Sequence, residues 1–155
     1  GRYIIMGDAD DTYDFGEIPK FVRKLDEEYD LVLGSRLRGE ILPGAMEWSH
    51  RLGNLFLTGV LNLLFKAGVS DAHCGMRAFR RDAYERMNLR SEGMEFASEM
   101  VIAAVAGGMR IGEVPIRYYP RDEGSSSKLR ALRDGWRHLR FMLSCWAFNV
   151  RGPKL

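Results

Sequence analysis

The chain has 155 residues, 46% hydrophobic and 28% charged, with 17 glycines and 5 prolines; this is ordinary globular composition for about one domain and excludes a disordered or collagen-like chain. No apolar run reaches the roughly 18 residues of a membrane span, and the longest, Leu55 to Phe65, is interrupted by Thr58, Gly59 and Asn62. Net charge is only +2, yet residues 1–30 hold four basic and nine acidic side chains whereas residues 117–140 hold seven basic and three acidic; the first polarity suits a cation and the second suits phosphate or an anionic surface.

Tyr3 to Met6 is a short continuous apolar run, the signature of a buried strand, and it stops at Gly7-Asp8. Phe15 to Glu28 places Ile18, Phe21, Val22 and Leu25 on one helical stripe behind a candidate N-cap, Asp14. Asp30 to Gly34 reads as a second buried strand, so the segment is a strand–helix–strand unit and predicts a parallel sheet. Residues 35–46 read as a loop carrying Gly, Arg and Pro, followed by a helix over about 47–66. Ser70 to Gly75 is a polar loop, Met76 to Arg80 a short strand, and Asp82 opens a brief helix. Phe96 to Ala106 is helical and ends at Gly107-Gly108. Arg110 to Tyr119 is a strand whose Pro115 argues for a sheet edge or a bulge. Residues 122–127 read as a mobile loop, and a last helix runs over about 129–148. No internal repeat or domain boundary interrupts residues 1–155. The first residue is Gly rather than Met and runs straight into an apolar strand, so the chain is expected to be part of a longer protein.

Six groups of residues carry chemistry. In Asp8-Ala9-Asp10-Asp11, two carboxylates leave a strand end two residues apart and can converge on one hard divalent cation, which takes carboxylate oxygens and shares them with phosphates; the bland reading is a solvated acidic turn that caps the next helix. Gly34-Ser35-Arg36 ends the adjacent strand, where an arginine can pair with Asp10, with a phosphate oxygen, or simply with the acidic helix. On the loop from Ser70 to Arg77, Asp71 and His73 can serve acid–base roles, or Asp71 can hold backbone amides. Glu95 and Glu99 share one helical face, as functional groups or as charges favoured by the helix dipole. Arg117 and Arg121 on one side of a Gly-Ser segment and Ser127 and Lys128 on the other make a lid over a phosphate, or a solvated loop. In the last helix, Leu129, Leu132, Trp136, Leu139, Leu143 and Trp146 form an apolar stripe beside Arg130, Arg133, Arg137 and Arg140. That amphipathic pattern suits an anionic lipid interface, and the competing fate of the stripe is the domain's own core. Cys74 and Cys145 form no disulfide framework, and His73-Cys74 has no CxxC or HxxxH partner, so neither a staple nor a zinc site is expected.

In order and spacing, Asp8-Ala9-Asp10-Asp11, Gly34-Ser35-Arg36, Ser70-Asp71 through Gly75-Met76-Arg77, Glu95 through Glu99, and Glu113-Val114-Pro115-Ile116 with Arg117, Ser127 and Lys128 resemble the dolichyl-phosphate mannose and glucose synthase-like branch of the inverting glycosyltransferases. The resemblance implies an α/β fold, a partial GT-A-like mixed sheet flanked by helices. It implies a nucleotide-sugar donor, a (poly)prenyl-phosphate lipid acceptor, and Mg²⁺ or Mn²⁺ held by Asp8 and Asp10. It further implies that Ser35, Arg36, Arg117, Arg121, Ser127 and Lys128 bind substrate and that Asp10, Asp71 and Glu99 stand in catalytic positions. An already anionic lipid phosphate makes a dedicated base less necessary. The strand–helix–strand half that holds the nucleotide in such enzymes does not precede the Asp8 strand here, so the chain alone is expected to be inactive. The implied location is the cytoplasmic face of a membrane, with the 129–148 helix at the interface.

Two other readings compete. Asp8-Ala9-Asp10-Asp11-Thr12 also fits the DxDxT of haloacid-dehalogenase-like phosphatases, in which the first aspartate attacks phosphate; the later acidic pair that family needs is absent, since the candidate strand offers only Glu113-Val114-Pro115. A non-catalytic fragment that binds a membrane or a partner is the third. Nucleic acid is not expected as a partner, because the basic residues flank an apolar stripe instead of alternating with stacking aromatics.

Overall fold

A computed structural model of the chain describes residues 1–121 and 131–151. Strand β1 is Tyr3–Met6, the apolar run of the sequence. A short 3-10 turn at Phe15–Glu17 leads into helix α1, Ile18–Asp26, and the Asp14 carboxylate caps the turn by accepting the Gly16 N–H at 2.7 Å. Strand β2 is Leu31–Ile41, helix α2 Trp48–Phe65, strand β3 Arg77–Arg80 and helix α3 Arg81–Met87. Helix α4 is Phe96–Ala106, strand β4 Ile111–Tyr118 and helix α5 Ala131–Arg151.

The four strands form one sheet in the order β1-β3-β2-β4, flanked by the five helices. It is the mixed α/β sheet that the resemblance implies. The strand–helix–strand unit does make β1 and β2 run in the same direction, but they are not neighbours. Strand β3 lies between them and is antiparallel to both, with Met6 and Leu33 each opposite Arg77. A local pattern sets strand direction; which strand fills the gap depends on a segment more than 40 residues later.

One expectation about a strand end is corrected. The second strand does not stop at Gly34. It continues to Ile41 because β4 pairs with it in parallel, a non-local partner that residues 35–41 alone do not reveal. Between the Ser35–Pro115 and Glu40–Arg117 pairs, four β2 residues stand opposite Ile116 alone. Pro115 has no N–H to continue the ladder, so the strand bulges there, and β4 is also an outer strand; both halves of the proline expectation hold. At Gly39, in that bulge, an added Cβ would run into the Ile116 backbone, so only glycine fits.

Alternation along β2 divides the core. Val32 faces Phe21 and Leu25 of α1 together with Ala78, Val114 and Ile116, whereas Leu31 and Leu33 face the layer of α2, α4 and α5 with Leu61, Met100, Val101 and Met142. Full burial of each of the larger of these side chains contributes about 1.5–3 kcal/mol, which is why the sheet's two faces, and not helix propensity, fix the helices. Helix α2 is apolar on two sides. Asn54, Thr58 and Leu61 are buried, while Trp48, Leu52, Leu55, Phe56 and Leu63 are exposed. Helix α5 turns His138, Phe141, Met142 and Cys145 to the core, at helical spacing. Trp136 is 64% exposed, and Leu143 and Trp146 are exposed as well. The tryptophan stripe therefore does not fill the core; Leu129 of that stripe lies outside the described residues, as does Arg130. No helix among the described residues is long and apolar enough to cross a membrane.

Candidate functional site

Because β1, β2 and β4 share one direction and β3 opposes them, the ends of β1 and β4, the Ser35–Arg36 segment of β2 and the residues leading into β3 meet at one edge of the sheet. Open α/β sheets bind their ligands at that edge. The structure thereby brings Asp8, Asp10, Arg36, Asp71 and Arg121 into one region.

The acidic turn is tight. Asp11 takes a left-handed φ of 57°, a conformation that aspartate tolerates better than most residues. Asp10 Oδ1 accepts from Thr12 Oγ1 at 2.6 Å, and Asp10 Oδ2 accepts from Arg121 Nε at 2.8 Å. Burial alone would raise the Asp10 carboxyl, but the bonds from Thr12 and Arg121 outweigh it and hold the group below its ordinary value. Asp8 behaves oppositely. Desolvation and the neighbouring Asp10 charge push it up, against the pull of Arg36, Arg121 and Arg77. Its carboxylate lies over Gly75, where an added Cβ would strike it. Two carboxylates, one of them raised by the other's charge, form a donor set that a divalent cation would relieve. Among the described residues no group of three or more His, Cys, Asp or Glu side chains converges on a metal position, so a cation held by Asp8 and Asp10 would need its other ligands from outside these side chains.

Arg36 does not pair with Asp10. Its Nε and Nη2 donate to Asp71 Oδ2 and Oδ1 at 2.8 and 2.9 Å, its own N–H reaches Oδ2 at 3.1 Å, and its guanidinium stacks over the Tyr118 ring at 5.2 Å. Asp71 is fully buried. Burial would raise it, yet the Arg36 bonds, the Arg36 charge and the Asn54 amide hold it below its ordinary value. A carboxylate so occupied orients an arginine and has no lone pair free for a base's work. Ser35 is likewise buried. Its hydroxyl meets Ser70 Oγ at 2.7 Å, and Glu113 Oε1 accepts the Ser70 N–H at 2.7 Å and the Asp71 N–H at 3.2 Å. Ser35 thus sits beneath the Ser70–Asp71 segment, which Glu113 pins.

Two further residues are not brought to this edge. Glu99 accepts the N–H groups of Arg90 and Ser91 at 3.0 and 2.8 Å and closes the loop before α4. Arg117 pairs with Glu40 at 3.2 Å, with both side chains 60% exposed. Its neighbour Tyr118 is the buried ring under Arg36, and strand alternation sends Arg117 the other way. Ser127, Lys128 and the segment 122–127 lie outside the described residues.

Sequence reasoning missed three features. Arg77 is 1% exposed and spends its guanidinium on the carbonyls of Ala72, Cys74 and Ala97, at 2.7–2.8 Å, which shapes the loop beside Asp8. Tyr13 OH accepts the Gly75 N–H at 2.9 Å. His73, weighed as an acid or base, lies between Asn54 and Ser98, and burial drives its pKa down to about 3. Cys74 and Cys145 are both free, as expected, and burial pushes the Cys74 thiol up to about 11, so it is no nucleophile. Glu113, the only acidic residue that the candidate strand offers the phosphatase reading, is committed to Ser70 and Asp71.

Similar proteins point the same way as this geometry. The Haloferax volcanii protein named low-salt glycan biosynthesis hexosyltransferase Agl6 is 54% identical over 145 residues, which is 92% of this chain and 35% of that protein. Glycosyltransferase AglJ of the same organism is 35% identical over 86% of the chain and 44% of its own length. A dolichyl-phosphate hexose transferase, also from Haloferax volcanii, is 31% identical over 85% of the chain and 56% of its own length. The chain therefore spans between about a third and a little over half of these relatives. The family profile described as "Glycosyl transferase family 2" matches residues 1–87, more than half of the 155. The chain belongs to glycosyl transferase family 2.

Proposed function

We propose that this chain is the cation- and acceptor-binding part of a glycosyltransferase that moves a hexose from a nucleotide-sugar to a polyprenyl-phosphate-type lipid. The observation that carries the reading is the meeting of an acidic pair, Asp8 and Asp10, with two arginines, Arg36 and Arg121, at one sheet edge. An anionic donor and an anionic acceptor need such a divided field. A divalent cation on Asp8 and Asp10 would neutralise charge on the departing diphosphate. Arg121 and Arg36 hold phosphate oxygens in place, and Asp71 keeps the Arg36 plane fixed while leaving Nη1 outside the clamp. The acceptor phosphate oxygen attacks the anomeric carbon as the bond to the nucleoside diphosphate breaks; that oxygen is already charged, so no proton need be removed. Asp71 and Glu99, both engaged with protein donors, agree with a reaction that uses no dedicated base.

The lipid acceptor is supported by the name of one relative, the dolichyl-phosphate hexose transferase, and by the open apolar faces of α2 and α5. Trp48, Leu52, Phe56, Trp136, Trp146 and Phe148 are exposed, as are Arg133 and Arg140 on α5. Tryptophan with arginine is the composition of an interfacial helix at the cytoplasmic face of a membrane. The test is Asp10→Asn in the full-length protein, assayed for hexose transfer from nucleotide-sugars to a short polyprenyl phosphate with Mg²⁺ or Mn²⁺. Transfer is expected to fall by at least 100-fold, on the order of an electrostatic stabiliser's contribution, with circular dichroism unchanged. Undiminished metal-dependent transfer would overturn the reading.

A further inference from the structure

A line of buried and partly buried polar side chains runs from α5 to the sheet edge, and its donors and acceptors allow only one direction. Asn54 Nδ2 donates to Asp71 Oδ1 at 2.8 Å, so Asn54 Oδ1 is left as an acceptor. His73 Nδ1 lies 3.1 Å from that oxygen and must carry the proton. In a neutral imidazole Nε2 is then an acceptor, and Ser98 Oγ, 3.1 Å away, donates to it. The Ser98 oxygen in turn accepts from His138 Nδ1–H at 2.9 Å. Every hydrogen bond from His138 through Ser98, His73 and Asn54 therefore points toward the Asp71 carboxylate that clamps Arg36. Ser98 and Asp71 are fully buried, His138 is 5% exposed, and no buried side-chain polar atom among the described residues lacks a partner. The rings of His73 and His138 also meet edge to face at 4.7 Å.

We infer that His73, Ser98 and His138 are positioning residues for the transfer reaction, a hydrogen-bond chain of one polarity that fixes Asp71 and Arg36 relative to helix α5. The inference rests on the glycosyltransferase reading and adds to it how the arginine is held. The chain is not a proton wire, because the Asn54 amide donates and accepts without passing a proton on. Its role is orientation: the segment 70–75, α2, α4 and α5 each contribute one or two members, so Arg36 is locked only when all of them are docked. The low pKa of His73 is consistent with this, since a second proton on its ring would oppose the Ser98 donor and break the polarity. A simple packing role would ask only that these positions be filled.

Two measurements on the full-length protein decide the matter. The first is ¹⁵N NMR of histidine-labelled wild type at neutral pH. His73 is expected as the neutral Nδ1–H tautomer; the Nε2–H tautomer or an imidazolium would overturn the inference whatever the activity. The second compares His138→Leu, which fills the space without a donor, with His138→Asn, whose amide restores an N–H near the Nδ1 position. His138→Leu is expected to lower kcat about 3- to 10-fold, the worth of one buried hydrogen bond, with the KM for the donor sugar unchanged. His138→Asn is expected to recover most of that loss. Equal losses in both variants, or no loss in His138→Leu, would reject positioning in favour of packing. If wild type transfers no hexose to any lipid phosphate, the functional reading fails while the tautomer result still stands or falls by itself.

Discussion

Arg121 Nε sits 2.8 Å from Asp10 Oδ2, so the carboxylate best placed for a cation is already answered by an internal one. The two side chains are 28% and 21% exposed, and the pair joins the end of β4 to the turn after β1. On the proposed reading, a divalent ion held by Asp10 would compete with the Arg121 guanidinium, which would then be available to a phosphate.

Arg121→Ala should therefore act in opposite directions on two quantities. Removing a partly exposed ion pair is worth about 0.2–1 kcal/mol, so Mn²⁺ alone should bind roughly 1.5- to 5-fold tighter in calorimetry. The transfer rate should fall, because the same arginine no longer meets phosphate. Weaker Mn²⁺ binding in Arg121→Ala would contradict the displacement.

Gly75→Ala tests the placement of Asp8. The new methyl group would occupy the space of the Asp8 carboxylate, which must swing away. Misplacing a reacting group by about 1 Å costs up to 10²-fold in rate, so a loss of that order is expected with little change in thermal stability. A variant of normal activity would remove Asp8 from the cation site.

His73 and His138, both held below the ordinary histidine value by burial, contribute to the acid sensitivity of the fold. His73 has a folded pKa of about 3 against 6.5 in a free chain. Between those values the unfolded chain binds a proton that the folded chain refuses, so stability falls as pH falls, at about 1.4 kcal/mol per pH unit. Asp71 adds to the loss further down. Its folded pKa is depressed below 3.8, so the stability it contributes is complete above that value and lost as pH drops through the folded one. Thermal melts should decline steadily from about pH 6.5 downward, and a His73→Asn variant should show a flatter slope between pH 6 and 4. An identical slope in the variant would place the sensitivity elsewhere.

The open faces of α2 and α5 predict binding to anionic vesicles, little binding to zwitterionic ones, and a tryptophan blue shift on binding. Arg137 is committed to Glu95 at 3.0 Å, and Arg133 and Arg140 are the other exposed arginines among the described residues of α5. At ~1 kcal/mol for each arginine near an anionic surface, neutralising both should weaken binding about 30-fold at low salt. Co-sedimentation equal on both lipids would indicate purely apolar docking and no charge recognition.

Much of this was readable from the residues, and the failures share a cause. The strand of Tyr3–Met6 and the Asp14 cap depend on neighbours within a turn or two, and local physics decides them, whereas Pro115 only marks an irregularity that its distant partner β2 turns into a bulge. The length of β2 depends on β4, about 80 residues away. Which face of α5 meets the core stayed open in sequence, because His138 counts as polar in any periodicity, and its bond to Ser98 is what marks it as a core residue. Asp71 and Arg36 each looked available for chemistry in sequence, and only their mutual bond shows that one holds the other.

The position of β3 has a consequence for how the chain folds. It is one of the two shortest strands, it lies inside the sheet, and it arrives after β1, α1, β2 and α2. Neither β1 nor β2 has a partner until Arg77–Arg80 slides between them, and the remaining ladder, β2 with β4, spans still more chain. No pair of strands here can form as a local hairpin, so loop closure must precede every rung. If the β3 rungs form in the rate-limiting step, weakening β3, for instance with Ala78→Gly, retards refolding more than it hastens unfolding, which chevron kinetics would read.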